Sequence, residues 1–172
     1  MTGDTLSFRH AMGVFALLLS LLFVPLSASA DDVVVPPPPI NAVCPVCGMF
    51  VAKYPEWIAA VVYKDGHAHY FDGAKDLFKF LASPKRYVPG HRPEDVATIA
   101  VTDYYETTRI DAYTAFYVMG SDVMGPMGHE LVPFPTRAAA EEFVKDHGGS
   151  AILTFDQVTS AILDRLDHGN VR

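Results

Sequence analysis

The sequence is short of charge, of basic residues above all, and of cysteine. Only 19% of its 172 residues are charged, and 13 Lys and Arg stand against 20 Asp and Glu, for a formal net charge of −7. This deficit argues against charge-driven binding to nucleic acid or an anionic membrane surface, because such binding needs clustered Lys and Arg. Two cysteines are too few for a disulfide-rich scaffold. The chain is nevertheless 50% hydrophobic, which argues against disorder, and its length suggests one domain or two very small ones.

Sequence signatures of common enzymes are also missing. The chain has no glycine-rich phosphate loop and no Gly-x-Ser-x-Gly turn. No Ser/His/Asp arrangement or carboxylate pair is recognisable as a catalytic set. We therefore predict a protein that is not an enzyme and has no catalytic residues.

The N-terminus has the pattern of an export signal over residues 1–30. Arg9 precedes an apolar run over residues 11–26, and Ala28-Ser29-Ala30 has the small-x-small form that signal peptidase requires. The run is shorter than the roughly 20 residues of a spanning helix, and Pro25 interrupts it. We predict cleavage after Ala30 and a periplasmic protein without a membrane span. The alternative is that the segment stays uncleaved and tethers the protein to the membrane.

The rest of the chain is predicted to be α+β. Residues 31–43 form a Pro-rich linker, since four consecutive prolines favour polyproline II geometry. Beyond it we predict two small similar ββαβ-type halves, residues 44–98 and 99–172, each a short antiparallel sheet with a helix packed on it.

The two halves share an order of elements. The first has a strand over 57–63, a return strand over 67–71 and a helix over 74–82 that Asp72 is expected to cap. In the second, a strand over 113–119 is followed by a Met- and Gly-rich loop, a return strand over 130–134 and a helix over 137–147 capped by Thr136. Each return strand ends in a phenylalanine that lies nine residues before a phenylalanine of the next helix: Phe71 and Phe80, Phe134 and Phe143.

The first candidate site is Cys44-Pro45-Val46-Cys47-Gly48-Met49. Two thiolates at this spacing can turn toward one ion, and Met49 adds a thioether. Thiolate and thioether ligands favour soft ions such as Cu(I). Two other interpretations remain open, a redox pair and an inert disulfide. A thioredoxin-type pair lies at a helix N-terminus, whereas this pair follows a proline-rich linker.

The second candidate site lies in the Met- and Gly-rich loop. Met127 and His129 have the i, i+2 spacing at which side chains of an extended chain face the same way. Thioether and imidazole form a set suited to copper, so Met127 and His129 are predicted ligands, with Met124 a weaker candidate. His67 and His69 have the same spacing, but we expect them to lie on an exposed strand face.

Together these motifs resemble the NosL family, the periplasmic copper-binding accessory proteins of nitrous oxide reductase assembly. The resemblance rests on the Cys44–Met49 motif, on His69-Tyr70-Phe71-Asp72-Gly73 and on Met127-Gly128-His129-Glu130, and it covers roughly residues 44–165. Many members have a Cys directly after the signal peptide for lipid attachment, and this chain lacks one there.

The resemblance implies that the chain binds Cu(I) through Cys44, Cys47 and Met49, with help from Met127 and His129. It implies a metallochaperone whose partners are a copper enzyme, most directly nitrous oxide reductase, and its ABC-type maturation complex. Two alternatives stay open at this point, a thiol-disulfide redox protein and an organometal lyase-like enzyme. For the lyase, the sequence offers no recognisable acidic partner for the cysteines.

Overall fold

The computed structural model describes residues 34–171. The predicted signal peptide lies outside the described residues. The described part of the Pro-rich linker does not project away from the fold, because Val35 packs against the core and the Tyr70 hydroxyl donates a hydrogen bond to the Pro36 carbonyl (2.9 Å). The proline segment therefore lies against the first sheet.

Seven strands form two antiparallel sheets. They are β1 (Ala59–Tyr63), β2 (Ala68–Phe71), β3 (Val96–Thr102), β4 (Arg109–Asp111), β5 (Phe116–Gly125), β6 (Gly128–Phe134) and β7 (Ala151–Thr154). The first sheet has the order β2-β1-β3-β4 and the second has the order β6-β5-β7. In both sheets the first strand is central, flanked by its hairpin partner and by the strand that returns after a helix. The prediction of an α+β fold with two similar ββαβ-type halves is thereby confirmed.

Four α-helices accompany the sheets within residues 34–171: α1 (Ala74–Ala82), α2 (Pro84–Tyr87), α3 (Arg137–His147) and α4 (Ser160–Asp167). None of them is long and apolar enough to cross a membrane. The bounds of α1 and α3 are those predicted. Thr136 caps α3 as expected, since its side chain accepts a hydrogen bond from the Ala139 amide (3.1 Å).

The nine-residue spacings correspond to equivalent contacts in the two halves. The Phe71 and Phe80 rings lie 5.2 Å apart, and the Phe134 and Phe143 rings lie 4.9 Å apart. In each half the last residue of the hairpin thus packs against the apolar face of the following helix. This shared contact explains why the two segments have the same phenylalanine spacing.

The two halves share the larger of two apolar clusters. Phe78 on α1 is buried, and its ring lies 5.0 Å from that of Tyr117 on β5. The same buried cluster continues through Leu131 on β6 to Leu163 and Leu166 on α4. Helix α1 is therefore a core element of both halves. The first sheet also extends to Asp111, so the predicted boundary between residues 98 and 99 falls inside β3.

The predicted Met- and Gly-rich loop is instead the end of a long hairpin. Strand β5 continues to Gly125, β6 begins at Gly128, and Met124 lies directly opposite His129. Only Pro126 and Met127 form the turn between them. Met124 therefore lies in a strand, and the prediction that it sits in a loop is wrong. The segment from Gly120 to Gly125 lacks the apolar alternation that indicates a strand.

Candidate metal site

The two cysteines lie in a tight turn. The Cys44 amide donates to the Met49 carbonyl and the Gly48 amide donates to the Cys44 carbonyl, both at 2.9 Å, and Val43 bridges to Phe50. Gly48 has φ +81°, a left-handed conformation that favours glycine. A 3-10 helix begins only at Val51. The pair thus lacks the helix N-terminus that lowers thiol pKa values in thioredoxin-type sites.

Two aspartates that the sequence analysis did not assign to the site face these thiols. The Cys47 thiol donates to Asp72 Oδ1 (3.0 Å) and the Cys44 thiol donates to Asp76 Oδ2 (3.5 Å). Ligand atoms of all four side chains lie within 4.8 Å of one another. Cys44, Asp72 and Asp76 are almost fully buried. In the part of the chain that the structure describes, this is the only group of three or more His, Cys, Asp or Glu side chains whose ligand atoms all lie that close together.

The prediction that Asp72 caps α1 is wrong. The N-cap residue is Gly73, which has no side chain to cap the helix. The Asp72 carboxylate turns to Cys47 instead, and its Oδ2 is buried without a hydrogen-bonding partner among the described residues. The sequence did contain a signal for this arrangement: Asp72 and Asp76 are four residues apart at the start of a helix, where side chains share a face.

The environment of the thiols favours their protonated form. Burial, helped by the charge of Asp76, raises the pKa of Cys44 to about 12. Burial also raises the pKa of Cys47, and its hydrogen bond to Asp72 raises it further. Ionised thiols would add negative charge beside two carboxylates in a buried site. A bound cation would relieve that repulsion, so the group is better suited to holding a metal ion than to presenting a reactive thiolate.

The turn of the β5–β6 hairpin is fixed against the start of α1. The Lys75 ammonium donates to the Met127 carbonyl (2.9 Å), and the Lys75 amide donates to Glu130 Oε1 (2.6 Å). Lys75 and Glu130 are both buried. Gly73 is necessary here because a Cβ atom at this position would collide with the Glu130 carboxyl group. The Glu130 carboxylate thus lies at the N-terminus of α1. The turn that carries Met127 lies beside Lys75, the residue directly before Asp76.

The predicted ligands do not all lie in one cluster. Cys44 and Cys47 belong to the four-residue cluster. Met49 is half-buried in the cysteine turn, and Met127 is 45% exposed at the hairpin turn. His129 is not a member of the cluster; with Met124 it lines a cavity of about 650 Å³ and lies beside Gly169. The structure therefore assembles the cysteines with carboxylates, and it brings the Met127 turn to the same helix end.

Comparison with known proteins identifies the family. The NosL family model matches residues 39–163. The copper-binding lipoprotein NosL of Stutzerimonas stutzeri is 27% identical over 132 residues, which are 74% of this chain and 69% of the relative. The crystal structure of the copper chaperone NosL from Shewanella denitrificans superimposes with a TM-score of 0.62 at 27% identity, over 74% of this chain and 96% of that one. The chain belongs to the NosL family.

Proposed function

We propose that this protein is a periplasmic Cu(I) metallochaperone that supplies copper to a copper enzyme, nitrous oxide reductase in the first instance. One observation carries the proposal: a buried group of two thiols and two carboxylates in a chain of a family whose named members bind copper. Handover would involve the ABC-type maturation complex of that enzyme. The protein would bind the ion and transfer it to a partner without catalysing a reaction.

In this proposal Cys44 and Cys47 are the principal Cu(I) ligands. Thiolates are soft ligands that match Cu(I), whereas carboxylates match harder ions. Asp72 and Asp76 therefore act mainly through their charge, which attracts a cation to the site. Binding the ion releases the protons of the two thiols, so the affinity for Cu(I) rises with pH.

Met49, Met127 and His129 complete the ligand set in the proposed site. The bonds from Lys75 to Met127 and Glu130 support sharing of the ion between halves, because they hold the hairpin turn against the first turn of α1, which carries Asp76. Met127 is 45% exposed, which suits it to exchange the ion with a partner protein. If His129 and Met127 act only in docking, the affinity of the isolated protein would not depend on them.

The redox interpretation has little support from the geometry. The cysteine pair lies in a turn, and the pKa values of both thiols are raised rather than lowered. An organometal lyase is favoured by one observation, since Asp72 and Asp76 supply the acidic partners that the sequence analysis did not find. In that reaction two thiolates would bind the metal and a carboxylic acid would protonate the departing carbon. Release of benzene from phenylmercury by the reduced protein would reveal it.

A chelator competition titration under anaerobic conditions tests the proposed function. We expect the reduced protein to bind one Cu(I), Cys47→Ser to weaken binding most, and Met127→Leu and His129→Ala to weaken it less. Met124→Leu tests the weaker candidate of the same hairpin, a methionine of similar exposure (51% against 45%).

Three results would count against the proposal. Equal Cu(I) affinities for wild type and Cys47→Ser would show that the thiols are not ligands of the ion. An unchanged affinity in Met127→Leu would show that Met127 is not a ligand. Disulfide reductase turnover with no stoichiometric Cu(I) binding would favour the redox interpretation instead.

A further inference from the structure

Three histidines form a second cluster around the β1–β2 hairpin. The His91 ring lies 5.6 Å from the His67 ring and 6.0 Å from the His69 ring, measured between centroids. His69 on β2 lies opposite Val61 on β1. His91 reaches the same face from the loop between α2 and β3. His69 was expected on an exposed strand face, but it is half-buried between Tyr63 and Phe80.

Two ring nitrogens of this cluster are buried without a partner. His69 Nε2 and His91 Nδ1 have no hydrogen-bonding partner among residues 34–171. Buried polar atoms are nearly always paired, so an unpaired imidazole nitrogen calls for an explanation. A metal ion supplies one, because the unprotonated nitrogen of a neutral imidazole is a strong ligand for transition metals.

The other nitrogen of His91 has the partner expected of a metal-binding histidine. His91 Nε2 lies 3.3 Å from Asp65 Oδ2, and ligating histidines usually donate their second N–H to a carboxylate or carbonyl. That contact orients the ring and leaves Nδ1 available. The His91 ring is also stacked on Tyr63, with centroids 3.9 Å apart, so its position is fixed before any ion binds.

The two ring separations measured from His91 are close to those around a shared ion. Imidazole nitrogens bind zinc at about 2.0–2.1 Å, which places the centroids of rings around one tetrahedral ion about 5 Å apart. The separations of 5.6 and 6.0 Å exceed this by small amounts. His67 is exposed, so its ring can turn inward without disturbing the core.

We propose that His67, His69 and His91 form a second metal site, which binds one divalent cation of the imidazole-preferring class. Cu(II) is the tightest-binding of the common ions by the Irving–Williams order. The site contains no sulfur and is separate from the cysteine cluster. His69 precedes Asp72 by three residues along an extended chain, a distance of about 10 Å. The proposal stands on the histidine cluster and does not depend on the function of the cysteines.

Titration of the full chain carrying Cys44→Ser and Cys47→Ser with Cu(II), followed by pulsed electron paramagnetic resonance, tests this site. Removing the thiols prevents their oxidation by the probe. We expect one bound Cu(II) with couplings from more than one imidazole, and affinity at least tenfold lower in His69→Ala or His91→Ala. Asp65→Asn should weaken binding by about 10- to 100-fold, the usual effect of losing the carboxylate behind a ligating histidine. His168→Ala, in an exposed C-terminal residue, is the matched control.

A second measurement covers the case in which the serine variant does not fold. Wild-type protein preloaded with one equivalent of Cu(I) is titrated with Zn(II), which does not oxidise thiols, while histidine ring resonances are followed by NMR. Shifts at His67, His69 and His91 support the site. Absence of Cu(II) binding to a folded serine variant, unchanged affinity in His91→Ala, or NMR shifts confined to other histidines would overturn it.

Discussion

Replacing Asp72 by asparagine should make the Cys47 thiol more reactive. The thiol donates to the Asp72 carboxylate at 3.0 Å, and this bond is one cause of its raised pKa. Two unit charges at that distance repel each other by about 5 kcal/mol at an effective dielectric constant of 20. Cys47 is partly exposed, and solvent screening reduces this to about 3 kcal/mol, or roughly two pKa units.

The change in pKa translates into a measurable rate. Lowering the thiol pKa by roughly two units raises the thiolate fraction about 100-fold, while the intrinsic nucleophilicity of the thiolate falls roughly eightfold. The Asp72→Asn variant should therefore react with iodoacetamide at about pH 8 roughly tenfold faster than wild type. Mass spectrometry of peptides identifies Cys47 as the modified residue. Asp156→Asn, at an exposed position away from the cysteines, is the control.

Asparagine keeps the size of the side chain, so the comparison isolates its charge. A rate for Asp72→Asn within twofold of wild type, with the fold intact by circular dichroism, would contradict the predicted effect of the Asp72 charge on the pKa of Cys47. It would mean that the carboxylate does not face the thiol in solution, and the electrostatic account of the cluster would fail with it.

Four further predictions concern the packing at the start of α1, the cysteines and the N-terminus. Gly73→Ala should lower the free energy of unfolding by about 1–3 kcal/mol, because the added Cβ meets Glu130; an unchanged urea midpoint would contradict the packing. Burial raises the pKa of Glu130 from 4.5 to about 8, so the folded state keeps a proton that the unfolded state releases, and stability should fall as pH rises through this range, by at most about 1.4 kcal/mol per pH unit. Glu130→Gln should remove that slope in urea titrations, and an identical slope would show that another group titrates. Thiol counting should find two reduced cysteines in the Cu(I)-loaded protein and a readily reducible disulfide after air oxidation of the apo protein; a disulfide that persists through loading would exclude metal binding by this pair. Intact mass of protein from a periplasmic fraction should correspond to a chain beginning at Asp31, and a mass for residues 1–172 would indicate a retained anchor.

The fold was predictable from the sequence because its signals are local. The pattern of apolar residues set the bounds of α1 and α3, and Thr136 caps its helix as the sequence indicated. The paired phenylalanine spacings anticipated real contacts in both halves. The extent of β5 was not predictable, since the segment from Gly120 to Gly125 has no apolar alternation, and its pairing with β6 stabilises it as a strand.

The candidate site was only half predictable. Cys44 and Cys47 have a recognisable spacing, but their acidic partners come from a helix start 25 to 32 residues away. Asp72 stands where a capping residue is expected, and a local rule assigned it to that role. The cap position is taken by Gly73, with Glu130 arriving from the second half. Tertiary contacts of this kind leave no periodic pattern in the sequence.

The same limit applies to the histidine cluster. His67 and His69 were visible as an i, i+2 pair, but His91 follows in a loop after two helices. Only the packing of that loop against Tyr63 brings the third imidazole to the pair.

Copper K-edge X-ray absorption of the anaerobically Cu(I)-loaded protein reports directly on the atoms that bind the ion. The proposed site predicts sulfur scatterers from Cys44, Cys47 and methionine together with one imidazole nitrogen. His129→Ala should remove the nitrogen contribution and leave the sulfur shell, while His147→Ala should change neither. A spectrum without sulfur scatterers, or one whose nitrogen contribution survives in His129→Ala, would contradict a Cu(I) site shared between the two halves.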